Sequence, residues 1–503
     1  MGASDGQIRQ EIGTLFEHWA HEKALSVEEL GANGSNRRYF RVGSSTRSCI
    51  AAYNGDVREN RAFITYSREM CRRGLRVPEV YAVNTAQTVY LQTDLGDTTL
   101  YDCLRSKKQR GGGFDAEMLE LYKRVLDDLV VIQTSMRDID FTVAYPRSDF
   151  DRQSMMWDLQ YFKYFYLKLV HQPFDEQLLE DDFGCLVDYL LQEDCGYFMY
   201  RDFQSRNIML VPSTGNTGGK DSSLFSAAPY YIDFQGGRRG AAQYDVASLL
   251  YSAKSDIPEA LRLQLLDYYV ESMSRRVAAM PESARPRFDA EQFRNHFFGY
   301  VLVRVLQAMG AYGYRGYFER KDYFLQSIPL ALANLRLLVS SHWPPVELPH
   351  LKEVLTRLAE STPAEFALPS LPSDRLTVTV SSFSYKKGLP EDKSGNGGGF
   401  IFDCRALPNP GRYPEFRTST GRDANVIAFL KAEKAVDSFL DHVAVLVSQS
   451  VECYMERHFS HLAVSFGCTG GQHRSVYCAE WMADYLRKHY DCDVMLCHRE
   501  QNF

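Results

Sequence analysis

The 503-residue chain has no Cys-x-x-Cys pair, no uninterrupted apolar run of bilayer-spanning length and no excess of basic charge. Its eleven cysteines are scattered and odd in number, which reads as reduced thiols rather than a disulfide framework, and no spacing among them suits zinc. The longest apolar stretches, such as residues 328–338, are too short to cross a membrane, and the amino terminus lacks a basic region followed by an apolar core. The expectation is a cytoplasmic protein without membrane contact. A formal net charge of −7 disfavours unassisted binding to RNA or DNA, so small molecules are the default partners.

What is present fits folded protein: 45% hydrophobic and 24% charged residues exclude wholesale disorder. The length calls for more than one domain. Helical spacing over residues 7–30 leads into a turn-rich segment, 31–42, and a hairpin; a helix at 57–73 and a strand at 88–93 complete a small lobe. Residues 116–191 and 259–338 are mainly helical. Between them lie apolar segments at 197–210 and 229–234, separated by a Gly/Ser/Thr-rich loop, 212–226. Prolines around Trp343 and again after Thr362 place a linker at 346–375, with domains at 1–345 and 376–503. The second domain alternates strands and helices, including one long helix over 425–457, and reads as a separate α/β unit.

The chemistry is concentrated in Arg201-Asp202-x-x-x-x-Asn207 and Ile232-Asp233-Phe234-Gln235. Phosphoryl transfer from ATP needs a carboxylate at the acceptor hydroxyl and hard oxygen ligands for Mg²⁺, because most of its catalysis is positioning and charge neutralisation. With Tyr244-Asp245, Asn36-Arg37-Arg38-Tyr39-Phe40-Arg41 and Thr93-Asp94-Leu95-Gly96-Asp97, these segments resemble the aminoglycoside phosphotransferase and choline kinase family. The nearest likeness is to the bacterial anomeric kinases of N-acetylmuramate and N-acetylglucosamine. The resemblance implies an α+β bilobal, protein-kinase-like domain. It makes Asp202 the catalytic base, Asn207 and Asp233 the Mg²⁺ ligands, and Asp245 a structural anchor. ATP would lie over residues 31–41, with Gly34, Ser35 and Asn36 near the phosphates. Two positions depart from that pattern. Tyr200 stands where the family often has His, and the stretch 49–54 lacks the phosphate-binding Lys of most kinases. Arg37, Arg38 or Arg41 is the expected substitute.

In the second domain, Phe466-Gly467-Cys468-Thr469-Gly470-Gly471-Gln472-His473-Arg474-Ser475 leaves an apolar strand and enters a helix, the arrangement of an anion site. With Phe402-Asp403-Cys404-Arg405 and Thr420-Gly421-Arg422-Asp423, it resembles the carboxy-terminal domain of the RNase adaptor RapZ. That family's domain binds glucosamine 6-phosphate, contacts RNA and protein partners, and tends to self-associate. The resemblance places Thr469, Gly470, Gln472, His473 and Arg474 around the phosphate, with Asp403 and Arg405 nearby. The Walker A domain that usually precedes it has no counterpart in residues 1–345. The same stretch is also C-x₅-R followed by Ser, the arrangement of cysteine phosphatases. Gly467 replaces their usual His, no general-acid loop is evident, and a packed structural Cys468 is the favoured reading.

Together these features predict an ATP- and Mg²⁺-dependent amino-sugar kinase of cell-wall recycling, acting at an anomeric hydroxyl and fused to a sugar-phosphate-sensing RapZ-like domain. The alternative is a degenerate kinase scaffold that carries an RNase-adaptor domain to RNA. The acceptor sugar is left open, since residues such as 154–169 form variable helical insertions in this fold.

Overall fold

A computed structural model describes residues 4–31, 37–212, 225–319, 321–360, 376–390, 399–457, 459 and 461–501. The chain forms two units, Met1–Thr362 and Pro363–Phe503.

In the first unit, helix α1 (Asp5–Ala20) begins at a capping box between Ser4 and Gln7 and stops where His21 turns left-handed, φ 57°. The helix expected to reach residue 30 therefore ends ten residues early, and Ser26–Glu29 instead forms β1. Pairing overrides local helical spacing here: β1 lies antiparallel to β2 (Arg38–Gly43) with Ser26 opposite Gly43. β3 (Ser48–Tyr53), β4 (Val80–Val83) and β5 (Val89–Gln92) complete a sheet in the order β1-β2-β3-β5-β4. Ile8, Ile12 and Phe16 of α1 join Phe40, Val42, Ala51 and Leu91 in the core of this lobe. Helix α2 (Val57–Arg72), capped by Asp56, turns an almost fully buried face containing Ala62, Phe63, Tyr66 and Met70.

The rest of the unit is helical. It comprises α3 (Leu100–Gln109), α4 (Ala116–Ser135), α5 (Arg152–Phe162) and α6 (Glu176–Leu190), then two short antiparallel strand pairs. β6 (Tyr197–Met199) pairs with β9 (Arg238–Gly240), and β7 (Ile208–Val211) with β8 (Ala228–Tyr231). The loops that leave β6 and β8 carry the kinase motif. Helices α7 (Gln243–Leu250), α8 (Glu259–Ala279), α9 (Ala290–Tyr312) and α10 (Ile328–Ser341) close the unit.

One correction to the expected boundaries concerns residues 346–375. The prolines around residue 345 do not open a linker, because Pro349–Glu360 is a further helix, α11. Its Leu351, Val354, Leu355 and Leu358 are fully buried. The Leu351 N–H donates to buried Asp182 at 2.7 Å, and the Ala359 carbonyl accepts from Arg336. Pro349 sits at the helix start, where its missing N–H costs nothing. Residues 361–375 lie outside the described residues.

The second unit is a four-stranded parallel sheet in the order β11-β12-β10-β13, formed by β10 (Thr377–Ser384), β11 (Gly399–Asp403), β12 (His461–Cys468) and β13 (Asp493–His498). Its helices are α12 (Ala424–Lys431), α13 (Lys434–Glu456) and α14 (Arg474–His489). The single helix expected over 425–457 is broken at Ala432 and Glu433. The reason lies in the apolar stripe: Val436, Leu440, Val443, Val447 and Val451 share one buried face, and Leu430 would sit about 100° away from its centre on a continuous helix. The break re-phases both faces onto one core.

Among the described residues, no helix is long and apolar enough to cross a membrane.

Candidate functional site

The loop between β6 and β7 is held from below by Asp245. Its carboxylate accepts from the main-chain N–H of Tyr200 (2.7 Å) and Arg201 (2.9 Å) and from the Gln133 amide (3.2 Å). Asp245 is fully buried, and burial pushes its carboxyl up to about 7 against the pull of those donors. Arg201 takes a left-handed backbone, φ 82°. A bidentate pair with Asp158 of α5, at 2.6 and 2.7 Å, holds its side chain. Burial alone would weaken the Arg201 charge, and Asp158, with Tyr244 and Asp202, more than offsets it. Tyr200, in place of the familiar His, is fully buried and donates its hydroxyl to the Ile232 carbonyl at 2.6 Å. This tyrosine therefore ties the two motif segments directly.

The segments converge at one point. The Ile232 N–H donates to the Asn207 carbonyl at 3.0 Å. The Asn207 side-chain amide donates to the Asp202 carbonyl at 2.9 Å and to an Asp233 carboxylate oxygen at 3.2 Å. Asp233 itself is left-handed, φ 70°, a conformation that costs a non-glycine residue on the order of 1–3 kcal/mol and is characteristic of functional loops. Gln235 donates to the other Asp233 oxygen at 2.8 Å. Phe234 stacks on Phe63 of α2 at 4.6 Å, and the Tyr66 hydroxyl donates to the Gly237 carbonyl at 3.0 Å. The two lobes thus share the Asp233 loop. On the opposite side Asp202 accepts from Gln204 at 3.1 Å and faces the Arg304 guanidinium at 3.8 Å. Arg304 is fixed in turn by Ser248 and Gln307.

The three arginines separate clearly. Arg38 pairs with Asp5 and Glu29, and Arg41 with Asp94 and Asp97, on opposite faces of β2. Arg37 turns inward, almost fully buried, 3.3 Å from Glu59 in the first turn of α2 and over the Phe63 ring. Burial pulls its charge down, and Tyr90, Tyr39 and Glu59 together hold it above the ordinary value. Tyr39 and Tyr90 also feel the Asp233 carboxylate, so this cluster borders the Asp233 loop. Gly34, Ser35 and Asn36 lie outside the described residues.

In the second unit a cavity of about 230 Å³ is lined by Asn409, Gly411, Arg417, Cys468, Thr469, Gly470, Gln472, His473 and Arg474. Five of these were expected from the sequence. Asp403 and Arg405, expected nearby, pair with each other at 2.6 Å and are not among the lining residues. Arg405 reaches the site through its main chain, its carbonyl accepting from Arg474 at 2.8 Å. Gln472 and His473 hold the loop 416–419 by its carbonyls, at 2.8 to 3.0 Å. Sequence reading passed over Asn409 and Gly411 because only the folding of the 409–417 turn onto the β12–α14 loop brings them there.

Set beside known proteins, residues 26–285, just over half of the chain, match the model of the phosphotransferase enzyme family. Residues 376–502 match that of the RapZ C-terminal domain. The chain belongs to the phosphotransferase enzyme family, on a protein-kinase-like fold followed by a RapZ C-terminal domain. It is similar to a nucleotide-binding protein of Chromobacterium violaceum, 40% identical over 127 residues, 25% of this chain and 42% of that protein. A nucleotide-binding protein of Xanthomonas axonopodis pv. citri is 41% identical over 138 residues, 27% of this chain and 46% of that one. The chain therefore spans less than half the length of these curated relatives. Among solved structures it resembles choline kinase LicA from Streptococcus pneumoniae, with a TM-score of 0.41 and 14% identity over 65% of this chain and 99% of that one. An ethanolamine kinase from Plasmodium vivax gives 0.45 and 12% over 67% and 90%.

Proposed function

We propose that the first unit is an ATP-dependent kinase acting on a small-molecule alcohol, with the anomeric hydroxyl of an amino sugar such as N-acetylmuramate or N-acetylglucosamine as the acceptor, in a cytoplasmic recycling step. The observation that carries this reading is the meeting of Asn207 and Asp233 at 3.2 Å beside the main chain of Asp202. The Asn207 and Asp233 oxygens are hard donors of the kind Mg²⁺ takes, and a magnesium ion held there would supply charge neutralisation across the ATP phosphates. Asp202 accepts the acceptor's proton, with Gln204 and Arg304 orienting its carboxylate. Arg37, braced by Glu59, takes the place of the strand lysine that other kinases pair with a helix glutamate.

The second unit, in this reading, binds a sugar phosphate in the cavity at the start of α14. The parallel β12–loop–α14 arrangement supports it, because the helix amino terminus and the Arg474 guanidinium favour an anion there.

ATP turnover measured with N-acetylmuramate, N-acetylglucosamine, choline and an aminoglycoside, beside Asp202→Asn, tests the proposal. Turnover with one acceptor should fall by on the order of 10²–10⁴-fold in the variant. No turnover with any, or equal turnover in both proteins, leaves the scaffold alternative.

A further inference from the structure

The loop at the start of α14 contains a second reactive constellation. The Cys468 sulfur ends β12, and Gly471 donates its main-chain N–H to it at 3.2 Å. The Ser475 hydroxyl lies 3.1 Å from the same sulfur. Burial pushes this thiol up, yet the hydroxyl and N–H of Ser475 and the N–H groups of Gly471 and Gln472 outweigh burial and leave it below its ordinary value. A merely packed cysteine needs no such donors. The turn that aims them depends on Gly471, which is left-handed at φ 67°.

Arg474 supplies an independent observation. It is 5% exposed, its Nη1 is fixed by the carbonyls of Arg405 and Leu407 at 2.8 and 3.0 Å, and its Nε is buried without a hydrogen-bond partner while the residue lines the cavity with Cys468. A buried guanidinium edge held in this way is matched by a phosphoryl oxygen. The lack of His before the cysteine has a steric cause: a side chain on Gly467 would begin 2.5 Å from the rings of Phe383 and Tyr385. A proton donor is nonetheless at hand. His473 donates Nε2–H to the Phe416 carbonyl at 2.8 Å, and its Nδ1 lies 3.5 Å from where a side chain on cavity-lining Gly411 would start.

From these positions we infer that residues 468–475 form a phosphomonoester-cleaving centre, separate from the kinase site, in which Cys468 is the nucleophile and Arg474 grips the phosphoryl group. The thiolate attacks phosphorus, so that an S–P bond forms as the P–O bond to the leaving group breaks. The leaving oxygen takes a proton from Nδ1 of His473 in its imidazolium form, leaving the neutral ring with Nε2–H still donated to Phe416. Water then gives a proton to His473 and attacks phosphorus, the S–P bond breaks, and inorganic phosphate departs while the Ser475 hydroxyl receives the returning thiolate. The cavity of about 230 Å³ suits a small sugar or polyol phosphate rather than a nucleotide. None of these steps depends on the identity of the kinase.

The test uses the full chain and p-nitrophenyl phosphate. Nitrophenolate release is expected, blocked by orthovanadate, and reduced by on the order of a hundredfold or more in Cys468→Ser and Arg474→Lys. Ser475→Ala should keep the first burst and slow later turnover. Acid-quenched protein should carry a phosphoryl adduct on the peptide containing Cys468. Equal release by wild type and Cys468→Ser, or neither release nor adduct in wild type, overturns the proposal. A check that does not depend on turnover is iodoacetamide labelling of Cys468 in wild type. Fast labelling near pH 7, suppressed by inorganic phosphate, is expected, and a thiol that reacts only in the ordinary thiol range and ignores phosphate also overturns it.

Discussion

Arg37 and Asp245 are both ionisable groups held out of water, and the groups around each one set its charge. Arg37 has Glu59 at 3.3 Å and the Phe63 ring beneath it, whereas Arg38 and Arg41 spend their charge on surface carboxylates. Arg37→Met should therefore raise the Michaelis constant for ATP by roughly tenfold, the worth of one charge-assisted hydrogen bond. Arg38→Ala and Arg41→Ala should change it less than about twofold, and steady-state kinetics of the three variants reads the difference. Asp245 gives a pH dependence. Its folded carboxyl is pushed up to about 7 from an ordinary 3.8, so between those values the folded state binds more protons than the unfolded one. Its contribution to stability therefore falls as pH rises from about 4 to about 7. Urea unfolding at pH 5 and pH 7 should show the gap between wild type and Asp245→Asn narrowing at the higher pH. The residue identities of this site stood plainly in the motif. Asp158, Glu59 and Arg304 did not, because each comes from a helix whose sequence carries no signal for the residue it braces.

At the level of elements, the apolar pattern was a sound guide where it matched burial, along one face of α2 and at every position of β5. α2, predicted at 57–73, spans Val57–Arg72, and β5, predicted at 88–93, spans Val89–Gln92. It failed where another element supplied the deciding contact. β1 is a strand because β2 is beside it. α11 is a helix despite the prolines before it and Pro349 at its start because Leu351, Val354, Leu355 and Leu358 find a buried surface. Leu355→Ala in the full chain should destabilise the first unit by about 2–5 kcal/mol, read as a lowered urea midpoint. A segment acting as an exposed linker would show no change.

On the scale of the whole molecule, a phosphotransferase-family unit is followed by a RapZ C-terminal domain. If the second unit senses a sugar phosphate for the first, adding glucosamine 6-phosphate to the full chain should change the rate of ATP turnover at fixed acceptor. Identical rates across a titration to millimolar concentration would remove the regulatory link. The amino-acid sequence by itself determined the family, because the motifs at residues 201–207 and 232–235 and the run at 466–475 are legible as local spacing alone. Which arginine turns inward and which donors surround the Cys468 sulfur were decided only by tertiary structure. Those choices depend on burial and on neighbours far away in the chain, and local sequence carries no record of either.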